Sequence, residues 1–295
     1  MASEEFKTIL EILKTSPVQT KSSIDEHRSE METVFKQLQI ASDVLCQPVD
    51  AGGVPAEWVT APGALQERVI YYLHGGGYVM GSVNTHREMA SRLSRATGAK
   101  VFLIDYRLAP ENPFPAAVED SMTAYRWLLS TGVKPNGVVI AGESAGGGLT
   151  VGTLVALRDA GEPLPAAGVC ISPWVDMECI GESMITKAGV DPLVRRYDVL
   201  MLAKAYLGDT DTRTPLAAPL YADLRGLPPL LIQVGTAEVL LDDAIRLAER
   251  AKSAGVDVTL ELWEEMIHGW HLFPMLPEGK HSIERIGEFM QKHTG

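Results

Sequence analysis

The chain of 295 residues carries a formal net charge of −12 and a pI near 5.1, so its surface repels phosphate backbones. No basic cluster offsets that charge, and nucleic acid is excluded as an expected partner. A hydrophobic fraction of 46% with mean hydropathy +0.04 marks a globular chain, and no apolar run approaches the roughly 18 residues of a membrane span, so no stable membrane association is expected.

The start, MASEEFKTIL, is acidic where a secretory signal is basic and has no small-residue cleavage site, which makes the cytoplasm the expected location. Three cysteines, Cys46, Cys170 and Cys179, form no CxxC pair and have no histidines nearby. They are expected as free, mostly buried thiols and not as disulfides or zinc ligands.

Helical spacing opens the chain, first at Phe6, Ile9, Leu10 and Leu13, then at Met31, Val34, Phe35 and Leu38. From about residue 68 short apolar runs take over: VIYYLH (69–74), VFLIDY (101–106), VVIAG (138–142), VCIS (169–172), LLIQVG (230–235) and VTLELW (258–263). Helix-period segments lie between them, at Ala117 to Leu129, Leu149 to Leu157 and Ala244 to Ala254, the last closed by Gly255 as a left-handed cap. Such alternation predicts an α/β fold with a mostly parallel sheet flanked by helices. Residues 177–207 break the pattern, with no clear strand and helical spacing at Val194, Tyr197, Leu200, Met201 and Tyr206. The expected organisation is N-terminal cap helices over 1–45 and a catalytic domain over 46–295. The insertion at about 177–207 is expected to join those helices as a lid over the C-terminal strand ends.

GESAG (142–146) follows a predicted strand and opens a helix, the setting in which GxSxG lifts a serine, here Ser144, clear of the backbone. HGGGY (74–78) also follows a strand, and its consecutive glycines leave N–H groups free to face a developing negative charge. A dinucleotide site would need GxGxxG opening a helix and a P-loop would need Lys-Ser/Thr; neither is present.

Of seven histidines, His27, His281 and His293 lie in polar helical or terminal segments, His74 belongs to the glycine loop, and His86 reads as structural. His268 and His271 remain as candidate bases. His268 is favoured because it sits in the loop after the last strand, followed by Gly269, whereas His271 suits packing in the next helical segment. The acid of a Ser, acid, His chain order belongs after LLIQVG, where Glu238, Asp242 and Asp243 are candidates. Glu238 occupies the turn itself. Asp242 and Asp243 are expected to cap the free N–H groups of the following helix.

Taken together, YLHGGGY (72–78), DYRLAPENPFPAA (105–117), GESAGG (142–147), VGTAEVLLDDA (234–244) and MIHGW (266–270) resemble the bacterial hormone-sensitive-lipase family of carboxylesterases. The resemblance implies an α/β-hydrolase fold with a helical cap, Ser144 as nucleophile and His268 as base, and it assigns oxyanion-hole donors to the N–H groups of Gly76, Gly77 and Ala145. Two positions depart from the common pattern: Glu143 and Glu238 stand where the family often has Asp, and Glu143 is read as a structural hydrogen-bonding residue.

The implied activity is hydrolysis of short-acyl carboxylic esters through an acyl-enzyme, with no metal and no organic cofactor. The alternatives are a small-molecule receptor on the same fold, as in the plant gibberellin receptors that lack the histidine, and an amidase or lactonase using the same residues. A homodimer through an edge strand near LELW (260–263) is also expected.

Overall fold

The computed structural model describes residues 2–15 and 23–294; the remaining positions of the expected cap and catalytic units lie outside the described residues. Helices α1 (Glu4–Thr15) and α2 (Ile24–Phe35) lead into a hairpin of β1 (Leu45–Asp50) and β2 (Pro55–Thr60). Then follow β3 (Leu65–Leu73), α3 (Val83–Thr97), β4 (Ala99–Ile104), α4 (Ala116–Ser130), β5 (Val138–Glu143), α5 (Ala145–Asp159) and β6 (Ala167–Ile171). Two helices, α6 (Ser183–Thr186) and α7 (Arg196–Leu207), occupy the strandless stretch before β7 (Leu230–Gly235), α8 (Leu241–Ser253), β8 (Val258–Trp263) and α9 (Pro277–His293).

The strands form one eight-stranded sheet in the order β1-β2-β4-β3-β5-β6-β7-β8, antiparallel through β1, β2 and β4 and parallel from β4 to β8. Apolar residues alternate between two cores. Val69, Tyr71, Val138, Ile140, Leu230 and Ile232 face the side covered by α4, α5 and α8, while Ile70, Tyr72, Val139, Ala141 and Leu231 face α1, α3 and α9. Burial on both faces explains why the central strands read as unbroken apolar runs. At the C-terminal ends Leu73 pairs with Gly142, Glu143 with Ile171, Ile171 with Gln233 and Gly235 with Trp263, so the loops leaving β3, β5, β6, β7 and β8 emerge side by side.

The six apolar runs all become strands, and the three helix-period segments become helices, with Gly255 at φ 84°. The edge differs from expectation. Strands β1 and β2 were not anticipated, because β1 is half exposed, carries Pro48 and buries little apolar surface, while β2 buries Glu57 against Arg87 at 2.5 Å. Helix α3 is equally quiet in hydropathy because its inward face includes Thr85, His86, Ser91, Ser94 and Thr97. Helix α2 ends at Phe35, so Leu38 lies beyond it. All three cysteines are free, with Cys170 and Cys179 buried.

Candidate active site

Ser144 sits between fully buried β5 and the first turn of α5, in a backbone conformation of φ 55° and ψ −120°. Such a conformation costs a non-glycine residue on the order of 1–3 kcal/mol, and the surroundings must offset it. They do so through the backbone: Ser144 N–H donates to the Ile171 carbonyl at 2.9 Å, and the Ser144 carbonyl accepts from Trp174 N–H at 2.9 Å and Gly148 N–H at 3.1 Å. Each such bond contributes about 0.5–1.5 kcal/mol. The turn also needs close approach of β3. A methyl group on Gly146 would lie 2.6 Å from the His74 carbonyl oxygen, a clash that only glycine avoids.

The segment His74 to Tyr78 leaves β3 beside this elbow. Gly76 takes φ 111°, and its carbonyl accepts from Val79 N–H at 3.1 Å and Met80 N–H at 3.0 Å, which closes a tight turn. Glu143, buried at the end of β5, accepts from Gly75 N–H and from the Tyr72 hydroxyl, and His86 Nε2 lies 2.7 Å from its Oε1. Burial alone would raise the Glu143 carboxyl, but the adjacent His86 and Tyr72 hold it down at about 2. His74 packs flat on Tyr106, centroids 4.2 Å apart, and its carbonyl accepts from the Tyr106 hydroxyl at 2.7 Å. The loop is thus anchored on both sides. Among the described residues no acceptor takes the N–H of Gly76, Gly77 or Ala145. The last is an orphan donor of the helix N-terminus, where partial positive charge gathers.

Glu238 is fully buried in the turn after β7. Its Oε1 accepts from Gly235 N–H at 2.6 Å and from the Ser172 hydroxyl at 2.8 Å, and its Oε2 lies 2.8 Å from His268 Nδ1. With its second nitrogen free of protein partners among the described residues, His268 stands in the loop after β8, its side chain 13% exposed. Burial pushes the imidazole pKa down, but the hydrogen bond and charge of Glu238, with help from Asp191 and Glu143, leave it above the ordinary 6.5.

The structure therefore brings Glu238 and His268 into direct contact at the ends of β7 and β8, two and three strands along the sheet from the Ser144 elbow. His271 is left in the core: both ring nitrogens are buried without partners among the described residues, and burial lowers its pKa to about 3. Asp242 and Asp243 depart from expectation. Neither caps α8, which has no side-chain cap; both reach back to the segment after β6. Asp243 accepts from Val175 N–H at 3.0 Å and Asp176 N–H at 2.9 Å, and Asp242 accepts from Ser183 N–H at 2.9 Å. Strand-end loops leave their own N–H groups unpaired, and these compete successfully with the helix end.

Two groups escape the sequence reading altogether. Ser172, at φ 45° just past β6, supplies the hydroxyl that fixes Glu238; its one signal is its place directly after an apolar strand. Asp191 of the insertion accepts from Val239 N–H, next to Glu238, at 3.2 Å, and nothing local in the sequence marks it.

Residues 70–272 match the family described as the alpha/beta hydrolase fold. An acetyl-hydrolase of Streptomyces hygroscopicus is 46% identical over 300 aligned positions, covering 100% of this chain and 99% of that protein. An esterase of Acinetobacter venetianus is 35% identical over 248 positions, 83% of this chain and 82% of its own. A crystal structure of an esterase from the bacterial hormone-sensitive lipase family superposes with a TM-score of 0.97 at 52% identity, each chain covered in full. A related crystal soaked with p-nitrophenyl butyrate gives 0.95 at 50% identity, with 99% of each chain covered. With its HGGG loop, its serine elbow and this likeness along its whole length, the chain belongs to the bacterial hormone-sensitive-lipase family of α/β-hydrolases.

Proposed function

We propose that this chain is a serine carboxylesterase in which Ser144 attacks the ester carbonyl, His268 takes its proton, and Glu238 orients the imidazole. The observation that carries the reading is the 2.8 Å pairing of His268 Nδ1 with a Glu238 carboxylate whose other oxygen is already fixed by Gly235 and Ser172. That arrangement holds one tautomer, stabilises the imidazolium and leaves Nε2 as the basic nitrogen. The N–H groups of Gly76, Gly77 and Ala145 receive the oxyanion as the carbonyl becomes tetrahedral. His268 then protonates the departing alkoxide, and water, deprotonated by the same imidazole, releases the acid and restores Ser144.

Helices α1 and α2 with the 177–207 insertion form the cap in this reading. Three contacts support it for α2 and the insertion: Leu202 of α7 lies 2.6 Å from where a Gly77 methyl would stand, Tyr206 stacks on Tyr78 at 3.7 Å, and Arg28 of α2 donates to the Val79 carbonyl at 2.6 Å. A roof this close to the oxyanion loop favours short acyl chains, as do the named acetyl-hydrolase relative and the butyrate-soaked neighbour. The test is a kcat/KM profile over p-nitrophenyl esters from acetyl to palmitoyl. A maximum between acetyl and hexanoyl is expected, and faster turnover of long-chain emulsions would overturn the preference. Labelling of Ser144 by a fluorophosphonate separates an enzyme from a receptor, which would stay unlabelled.

The homodimer also belongs here. β8 ends the sheet with an unpaired edge, and Leu262 on it is 53% exposed. Light scattering at micromolar concentration should give twice the chain mass, and a monomer mass would end the idea.

A further inference from the structure

The insertion seats one apolar side on the core through Met177, Met184, Val199, Ala203 and Tyr206, and leaves Ile180, Ile185, Val190, Tyr197 and Met201 each roughly half or more exposed; polar anchors add direction to that packing. Two of those anchors meet on one residue of the catalytic domain. Val239, immediately after Glu238, has its N–H accepted by Asp191 at 3.2 Å and its carbonyl bonded by the Ser183 hydroxyl at 2.6 Å. Both partners come from the insertion. Asp191 is itself fixed: its other oxygen accepts from Leu193 N–H at 3.0 Å and Val194 N–H at 3.1 Å, and it is 4% exposed.

We propose that Asp191 is a positioning residue for the His268 and Glu238 pair, fastening the insertion to the turn that carries Glu238 and presenting a second carboxylate to the imidazole. The inference rests on the triad reading above. A carboxylate buried this deeply is costly unless its charge is used, and here three N–H donors and a nearby imidazole use it. Glu238 touches His268 from the turn after β7, and the charges of Asp191 in the insertion and Glu143 at the end of β5 act on the same ring, which in turn acts on His271 in the following turn. His271 stays neutral, so three carboxylates set the field at the base. Asp191 in turn faces His268 and Glu238; burial raises its carboxyl to about 6, so it and the imidazole gain protons over neighbouring pH ranges as a coupled pair.

The sign of the effect follows. An anion near the imidazole favours the protonated form, which is the form that cannot act as base, so removing Asp191's charge should let His268 work at lower pH. Asp191→Asn keeps an oxygen for the Leu193 and Val194 N–H groups but turns charge and acceptor away from Val239. With p-nitrophenyl butyrate, its acidic limb of kcat/KM should move down by up to about half a pH unit, the gain falling between about pH 6 and 7, where Asp191 of the wild type still carries charge, and raising the ratio of the rate at pH 6.5 to that at pH 8 about 1.5-fold. Asp191→Asn should also lower kcat, because the turn carrying Glu238 loses its acceptor, and Asp191→Glu should restore the wild-type midpoint with kcat still below that of the wild type, because the charge returns without the geometry. An unmoved midpoint in Asp191→Asn, or an equal shift in Asp191→Glu, overturns the proposal. If Asp191→Asn fails to fold by circular dichroism, Asp191→Ser, whose hydroxyl can still accept from Val194, is read in the same way. Glu238→Gln measured alongside separates the two levels. Near-normal kcat there would sink the triad reading, whereas its collapse together with an unmoved limb in Asp191→Asn sinks the Asp191 proposal alone.

Discussion

Two buried carboxylates at the strand ends have nearly the same donor sets. Glu238 accepts from a glycine N–H, a serine hydroxyl and His268; Glu143 accepts from a glycine N–H and a tyrosine hydroxyl and faces His86. The imidazoles differ. His86 is fully buried, its Nδ1 is 2.8 Å from the Thr85 hydroxyl and its Nε2 is turned to Glu143, with His74 stacked 5.4 Å away. His268 uses only Nδ1 and keeps partial exposure. A carboxylate and imidazole in contact are therefore no mark of a base by themselves. What decides is whether the second nitrogen is left for a substrate.

The largest effects should fall on the second pair. Ser144→Ala and His268→Ala should abolish turnover, and Glu238→Gln should lower kcat on the order of 10³–10⁴-fold with circular dichroism unchanged. A near-normal kcat in Glu238→Gln would erase the distinction between the two pairs. Glu143→Gln comes next: it keeps the size but weakens the hold on Gly75, so the glycine loop proposed to hold the oxyanion loosens and kcat should fall about 10–100-fold with KM little changed. A rise in KM at constant kcat would show instead that the first pair supports substrate binding.

Acidity sharpens the same contrast. In the proposed mechanism His268 must be neutral to accept the serine proton, and its pKa is raised in the folded protein, so activity should be lost as pH falls through a midpoint above 6.5. A kcat/KM profile with a midpoint below 6 would mean that burial outweighs the carboxylates. The smallest effects on kcat should come from the aspartates beyond Glu238. Asp243→Asn leaves two buried N–H groups on one weaker acceptor and should cost about 1–3 kcal/mol of stability by denaturant titration, while kcat stays within a few-fold. A collapse of kcat in Asp243→Asn, with Glu238→Gln active, would move the acid along the chain.

Local sterics made much of this readable beforehand. Gly146 is required because a methyl group would strike the backbone of the neighbouring strand, and the parallel strands are continuous in hydropathy because both faces are covered. The half-exposed β1 and the polar inner face of α3 carry no such signature in the sequence.

What the sequence by itself determined is the set of positions whose requirement is local: the strand and helix series, the glycine loop ending at Tyr78, and the serine elbow at Ser144. Each follows from a period or a steric limit within a few residues. Only the tertiary structure decided which partner each polar group takes. Asp243 serves backbone 68 residues away in place of its own helix, Ser172 fixes Glu238 across 66 residues, and Asp191 reaches Val239 across 48. The physical reason is that a buried donor accepts the nearest carboxylate the fold delivers, and nearness in a parallel sheet is set by strand order, which no window of the chain contains.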